Sequence, residues 1–384
     1  MISNISKRCC SHTAVSTIKR VLVVKKRSRY SLEKGQYPGI TDAQLDKILK
    51  KRGSDVEMLL LTHKTHTCNT QDLLNSFISA GFHVDVVDRT KLEEDAIEWA
   101  DLVVAAGGDG TFLMSSSKIK TRDKSIVGFN TDPCRSTGYL CVNGRKGLNC
   151  SAIISRIKKE DYNYLFRTRI QVKLTGLRAN EDAVELDQCP QPIFYRSPGS
   201  REWKANENSK VETRVLPFLA LNEVFIGESL SSQVSHLVLD VPGVERTKVK
   251  CSGLCVSTGT GSTSWHMSIN RLTKAKVHKL LEIAGIDKTP QEIEKISNDF
   301  NASLRFSPDD PRLFYTLRDL IRAGVWPDPP GLPSGAFTPS LVVTSKCFSA
   351  NLVLDGSKAY AFNDGTVAEM ESRPENMLRT LFFP

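Results

Sequence analysis

The fold is decided at Leu102-Val103-Val104-Ala105-Ala106-Gly107-Gly108-Asp109-Gly110-Thr111. A short, β-branched apolar run reads as a buried strand, and the glycines that follow read as the turn leaving it. Glycines at the carboxyl end of a parallel strand expose successive backbone N–H groups with no Cβ in the way, which makes an anion-binding nest suited to phosphate. Asp109 inside such a nest repels phosphate unless it accepts a proton or holds a metal, and both tasks belong to phosphoryl transfer. The plainer alternative is a tight turn whose aspartate caps the chain from Phe112 onward. The GxGxxG fingerprint of dinucleotide-binding dehydrogenases is absent, which argues against hydride transfer.

Outward from this turn, apolar runs alternate with helical patterns, the signature of parallel βα units. Val21–Val24, Val84–Val87, Leu102–Ala106 and Ile126–Phe129 read as strands. Thr41 and Gln44 form a capping box ahead of Leu45, Ile48 and Leu49, with Gly53 as the stop. Leu73, Leu74, Phe77 and Ile78 place a helix over Thr70–Ala80, while Val56–Leu61 fits either a strand or a buried helix. A Rossmann-like α/β domain is therefore expected over residues 19–148.

Past Asn149 the pattern changes to the alternation of antiparallel strands: Arg167–Leu174, Leu219–Ile226, His236–Val241, Leu341–Thr344, Asn351–Leu354 and Tyr360–Phe362. Helices are expected at Arg271–Ala284 and at Pro290–Ala302, the latter with proline in its first turn. The reading is a β-rich, sandwich-like second domain over 149–370 with added helices, a polar insertion at 178–214 and a tail at 371–384. Its most hydroxylated segment is the loop from Ser257 to His266, which contains Thr260-Gly261-Ser262-Thr263-Ser264-Trp265 and follows an apolar run. Such a loop suits ribose and phosphate, although a Ser/Thr/Gly cluster is also an ordinary turn. Asn222-Glu223 sets an amide and a carboxylate between apolar neighbours, for base-edge recognition or for a buried structural hydrogen bond.

Composition narrows the function classes. At 384 residues the chain exceeds one ordinary domain, and no apolar run approaches the roughly 18 residues of a membrane-spanning helix. The net charge of +9 is lopsided: eight basic residues and no acidic one precede Glu33. The remainder holds 44 basic against 43 acidic groups, so a nucleic-acid-binding body is not supported and no membrane partner is expected. A Ser-containing, basic, acid-free start has the composition of a mitochondrial transit segment, placed at residues 1–18. The ten cysteines include no CxxC pair, and His63-x-x-His66 lacks a second ligand pair, so no metal site is read from them and the histidines are taken as a surface or helix-end feature.

Taken together and in this order, Gly107-Gly108-Asp109-Gly110-Thr111, Gly128-Phe129-Asn130-Thr131-Asp132-Pro133, Asn222-Glu223-Val224-Phe225-Ile226-Gly227-Glu228-Ser229, Ser252-Gly253 through Trp265, and Phe362-Asn363-Asp364-Gly365 resemble the NAD kinase family, and within it the mitochondrial branch. The resemblance implies ATP-dependent phosphorylation of the 2′-hydroxyl of NAD's adenosine ribose in the mitochondrial matrix, with a divalent metal, Mg2+, and a homodimer built through the β-rich domain. It implies that Asp109 is the general base. Gly107, Gly108, Gly110, Thr111 and Asn130 would serve the phosphate and dinucleotide, Asn222 and Glu223 the adenosine part, and Ser252, Thr260, Gly261, Ser262, Thr263, Ser264, Trp265 and Ser268 the loop lining NAD. The chain departs from bacterial and cytosolic members at Ser252, where aspartate is usual, at Gly259, where proline is usual, and at Trp265, where tyrosine is usual. Two alternatives remain at this level: a lipid or sphingoid-base kinase sharing the Gly-Gly-Asp-Gly turn, and a non-catalytic dinucleotide-binding regulator.

Overall fold

The computed structural model describes residues 17–144, 149–186, 210–321 and 332–384, and divides into two compact units, 1–165 with 378–384 and 166–377. The first is a parallel α/β unit. Strands β1 (Arg20–Lys25), β2 (His83–Asp88), β3 (Leu102–Ala106) and β4 (Ser125–Phe129) stand in the order β2-β1-β3-β4. All residues of β3 and β4 are buried, as expected for central parallel strands covered on both faces. Register aligns Val23 with Val104 and Val104 with Val127.

Helices α1 (Arg29–Gln36), α2 (Asp42–Lys51) and α3 (Val56–Ser79) follow β1. The capping box read at Thr41 and Gln44 is present, and Gly53 has the positive φ, 81°, of a helix stop. Val56–Leu61 is helical: it opens the 24-residue α3, whose Asp55 cap accepts from the Met58 amide at 3.0 Å, and the helix expected over Thr70–Ala80 is the second half of the same element. The polar middle that hid this continuity is stabilised by threonine. Thr67 and Thr70 hydroxyls donate to the carbonyls of His63 and His66 one turn back, so β-branched residues sit in the helix with their polar atoms paired. After α4 (Glu94–Trp99) and α5 (Asp109–Ser117) comes α6 (Cys150–Lys158). It belongs to the first unit and not, as expected, to the second, because Cys150, Ile154 and Ile157 pack into one core with Leu73, Phe77 and Phe129. Burying each such aromatic side chain is worth roughly 1.5–3 kcal/mol.

The chain's end is not a tail. Leu378–Phe382 is a strand that pairs parallel to β4 and stands between it and Asn163–Arg167 in the first sheet. Leu381 is buried in the same core.

The second unit is a β-sandwich. One sheet runs Thr247–Cys251, Ser235–Asp240, Ser340–Ser345, Val367–Ser372, Ile170–Gly176, Glu212–Val215. The other runs Gly335–Thr338, Leu313–Arg318, Gly253–Ser257, Glu223–Glu228, Ala350–Leu354, Lys358–Ala361, Val184–Glu185. Their inner faces meet in a core that includes Val172, Leu239, Val343, Ile226, Leu254 and Leu352. Helices α7 (Trp265–Asn270), α8 (Lys274–Ile283) and α9 (Pro290–Ser303) are appended, α9 on a capping box of Thr289 and Glu292. The strand expected from Leu219 begins only at Glu223, since the amides of 221–223 are taken by a side chain described below. Residues 187–209 of the expected insertion and residues 1–16 of the transit segment lie outside the described residues. Among the described residues no helix is long and apolar enough to cross a membrane.

Candidate active site

The glycine turn joins β3 to α5, and each glycine has its own physical reason. A Cβ on Gly107 would lie 2.3 Å from the Thr111 hydroxyl and 3.0 Å from the Lys26 Cβ, so only glycine fits between them. A Cβ on Gly110 would meet nothing within 4 Å, which leaves bare backbone on the first turn of α5. Asp109 does not cap this helix: Gly108 holds the N-cap position without a side-chain bond. The carboxylate instead accepts the Leu140 amide at 2.8 Å on one oxygen and the Tyr139 amide at 3.1 Å on the other. The capping-turn alternative therefore falls, and the half-exposed carboxylate is fixed in place by two backbone donors with lone pairs to spare.

The loop that supplies those donors is itself locked. Asn130 is fully buried, its Nδ2 donating to the Ser136 and Gly144 carbonyls and its Oδ1 accepting from the Asp132 amide. Through these three bonds Asn130 braces the loop. Gly138, at φ 63°, is the point where this loop passes Asn130.

Beside the turn, a cavity of about 400 Å³ opens at the carboxyl end of β1, lined by Lys25, Lys26, Arg27, Ser28, His63 and His66 among others. His66 is neither a surface nor a helix-end residue. It is buried in mid-helix, with Nε2 against the Lys26 carbonyl and Nδ1 against the Thr131 hydroxyl, both at 2.8 Å. A carbonyl only accepts, so Nε2 carries the proton and Nδ1 receives the threonine hydroxyl. Burial, then the Lys26 charge, holds its pKa down to about 4, so it stays neutral while tying the loop after β1 to the loop after β4.

In the second unit, Asn222 and Glu223 lie buried where the strand Glu223–Glu228 begins. Asn222 donates through Nδ2 to Ser264 at 3.0 Å, and the Thr258 amide donates to the Asn222 carbonyl. Asn222 Oδ1 and Glu223 Oε2 are buried with no hydrogen-bond partner among the described residues, a pair of polar atoms of the kind that a ligand satisfies. Burial and the charge of Asp355 push the Glu223 carboxyl up to about 8, so it is mostly protonated at neutral pH. The hydroxyl loop is wrapped tightly on this pair. A Cβ on Gly261 would lie 2.1 Å from the Asn222 carbonyl oxygen, and one on Gly259 would lie 1.8 Å from the Ser307 carbonyl oxygen. Thr260 and Ser262 are buried, and Ser262 and Thr263 donate to carbonyls within the loop. Trp265 is 45% exposed, its ring edge-on to Phe225 at 4.6 Å. Trp265 and Ser268 line a second cavity of about 390 Å³ with Ile269, Arg318 and Asp319.

The chain as a whole is similar to known proteins. The chain is 35% identical over 372 residues to the mitochondrial NAD kinase 2 of Rattus norvegicus, covering 94% of this chain and 87% of the relative. It is 34% identical to that of Homo sapiens, covering 94% and 84%. The chain belongs to the NAD kinase family. Among solved structures, a yeast NADH kinase complexed with NADH superposes with a TM-score of 0.52 at 14% identity, covering 95% of this chain and 83% of that one. An NAD kinase from Archaeoglobus fulgidus in complex with ATP gives a TM-score of 0.50 at 16% identity, covering 95% and 93%. No family model matches the chain. Membership sets aside the lipid-kinase alternative.

As an NAD kinase, the chain's departures acquire local reasons. Gly259 stands where only a residue without Cβ fits against Ser307. Ser252, at the usual aspartate position, donates its hydroxyl to Asp319 at 2.8 Å, so a carboxylate is present beside it from another strand end. Asp319, Lys26 and Asp355 were not singled out by sequence, and His66 was, but as a surface or helix-end residue. For Lys26 the available signal was its position at the carboxyl end of a parallel strand. Asp355 followed by Gly356 was legible only as a turn.

Proposed function

We propose that this chain is an NAD kinase of the mitochondrial matrix in which Asp109 takes the proton from the 2′-hydroxyl of NAD's adenosine ribose. As an NAD kinase it uses ATP and NAD as substrates. The new bond forms between the 2′-oxygen and the γ-phosphorus of ATP, the bond from that phosphorus to the β,γ-bridging oxygen breaks, ADP leaves, and the hydroxyl proton goes to the Asp109 carboxylate. The observation that carries this reading is the carboxylate held by the Tyr139 and Leu140 amides at the glycine turn. Two amide bonds fix where the Asp109 carboxylate points, and a loose phosphoryl transition state asks above all for orientation.

Bare backbone at Gly110 serves the transferred phosphoryl group, and the Lys25, Lys26 and Arg27 cavity supplies cationic groups for the donor's phosphates. Among the described residues no group of three or more His, Cys, Asp or Glu side chains is placed to hold a metal. A magnesium ion keeps its waters and would be held through the substrate phosphates beside the glycine turn. Bound there, it would neutralise phosphate charge. Asn222 and Glu223 hold the adenosine, while Gly261, Ser262 and Thr263 keep the loop closed on them; Ser252, Trp265 and Ser268 face the rest of the dinucleotide.

The test is formation of NADP from NAD, ATP and magnesium by protein lacking residues 1–16, read with an NADP-specific dehydrogenase. A folded protein that binds NAD and makes no NADP would return the regulator reading. The basic, acid-free start and the relatives' mitochondrial names support import into the matrix. A fluorescent reporter carrying residues 1–18 should reach the matrix, and a cytosolic reporter would refute that placement. Homodimerisation through the β-rich unit is part of the same proposal, and a monomer by sedimentation would remove it.

A further inference from the structure

The turn between the strands Ala350–Leu354 and Lys358–Ala361 is Asp355-Gly356, with φ of 47° and 66°. Left-handed conformation at both central residues is what a tight hairpin asks of them, and asparagine meets that demand as well as aspartate does. The side chain does something the turn does not require. Its carboxylate reaches across to accept three consecutive amides, Leu221 and Asn222 at 2.8 Å and Glu223 at 3.1 Å. In return the Asp355 amide donates to the Glu223 carbonyl at 3.0 Å. All three side-chain partners are donors, so only a group with nothing but acceptors satisfies them; an amide in its place would turn N–H toward N–H.

The arrangement is electrostatically costly, because it sets one carboxylate beside another in a desolvated region. Burial raises the Asp355 carboxyl to about 6, against the pull of the three amides and then of Arg169, itself buried with its Nε on the Asn376 carbonyl. Asp355 is thus the ionised member of the pair and Glu223 the protonated one. The groups facing Glu223 are the Asp355 carboxylate, the Cys255 thiol and the Trp265 amide.

We propose that Asp355 is a positioning residue for dinucleotide binding: it clamps the backbone of 221–223 so that Asn222 and Glu223 are presented as a preformed pair before the nucleotide arrives. This rests on the NAD kinase reading. The orphaned Asn222 Oδ1 and Glu223 Oε2 are the atoms the clamp presents, and preorganising them lowers the ordering cost of binding.

Asp355→Asn keeps the turn and the volume and breaks the clamp. In steady-state assays its KM for NAD should rise about tenfold or more, while the KM for ATP and kcat at saturating NAD stay within about twofold. The pH dependence of NAD binding should also move: the limb belonging to Glu223 should shift to lower pH, since the charge that raises its pKa is gone. A purely structural role would lower the amount of folded enzyme without moving either. An unchanged KM for NAD in an active variant overturns the proposal, whereas a wild type that forms no NADP overturns the reading beneath it. Should the variant fail to fold, hydrogen exchange on ligand-free wild type decides. The amides of 221–223 should be protected before NAD is added, and fast exchange there would refute the clamp.

Discussion

The two units each use one device, a carboxylate that grips consecutive backbone amides, and in the proposed reaction they use it to opposite ends. Asp109 takes the amides of Tyr139 and Leu140 and is itself the proposed base. Asp355 takes three amides and stands behind the side chains proposed to hold the nucleotide. In the first unit the backbone steadies the carboxylate; in the second a carboxylate steadies the backbone. Chemistry placed on the gripping residue is exposed to substitution at one point, while chemistry placed beyond it is shared among the clamp and the two side chains it presents.

That contrast is broken most severely by Asp109→Asn, which keeps the side-chain volume and an acceptor oxygen for one of the two amides but removes the proton acceptor. Turnover should fall about a thousandfold in the coupled NADP assay with NAD affinity largely intact. An unchanged rate would show that Asp109 only steadies the loop. Gly261→Ala should come next. The Cβ drives into the Asn222 carbonyl, so the loop must leave the pair, and NAD affinity measured by calorimetry should drop by about 10- to 100-fold with Tm lowered. The same change at Gly110, where a Cβ meets nothing, should leave Tm nearly unchanged.

A milder probe is Glu223→Gln. The wild-type acid has its pKa raised to about 8 in the folded protein against about 4.3 when unfolded. Its contribution is therefore present at low pH and is lost as pH rises through about 8, when the buried group must ionise. Thermal unfolding followed from about pH 5 to about pH 9 should show the wild type losing stability relative to Glu223→Gln. Parallel curves would mean that Glu223 is ionised throughout. The smallest effect is expected for Ser252→Ala, which removes one exposed hydroxyl from Asp319: about a two- to fivefold rise in the KM for NAD.

Much of this molecule was legible because its signals are local. The capping box at Thr41, the glycine stops and the strand that runs into Gly107 each depend on neighbours within a few residues, and the structure has them where the sequence places them. Helix α3 was read in two pieces because Thr62 to Asn69 carries no apolar period; its helicity comes from hydroxyl back-bonds and from the core its ends bury. His66 was misplaced for a related reason, since its partners, Lys26 and Thr131, lie in loops far from it in sequence. Asn130 shows in sequence as a polar residue at a strand end, and that it braces the loop at Asp132, Ser136 and Gly144 was not legible there. Asp355 announces a turn, and nothing in its vicinity reports that its carboxylate is spent 133 residues away on the Asn222 amide.

The strand Leu378–Phe382 carries a consequence for biogenesis. It follows the whole second unit in the chain yet belongs to the first sheet, between β4 and Asn163–Arg167. A ribosome makes it only after the second unit, so the nascent first sheet waits with that side of β4 uncovered, an open edge for quality control to find until the strand emerges.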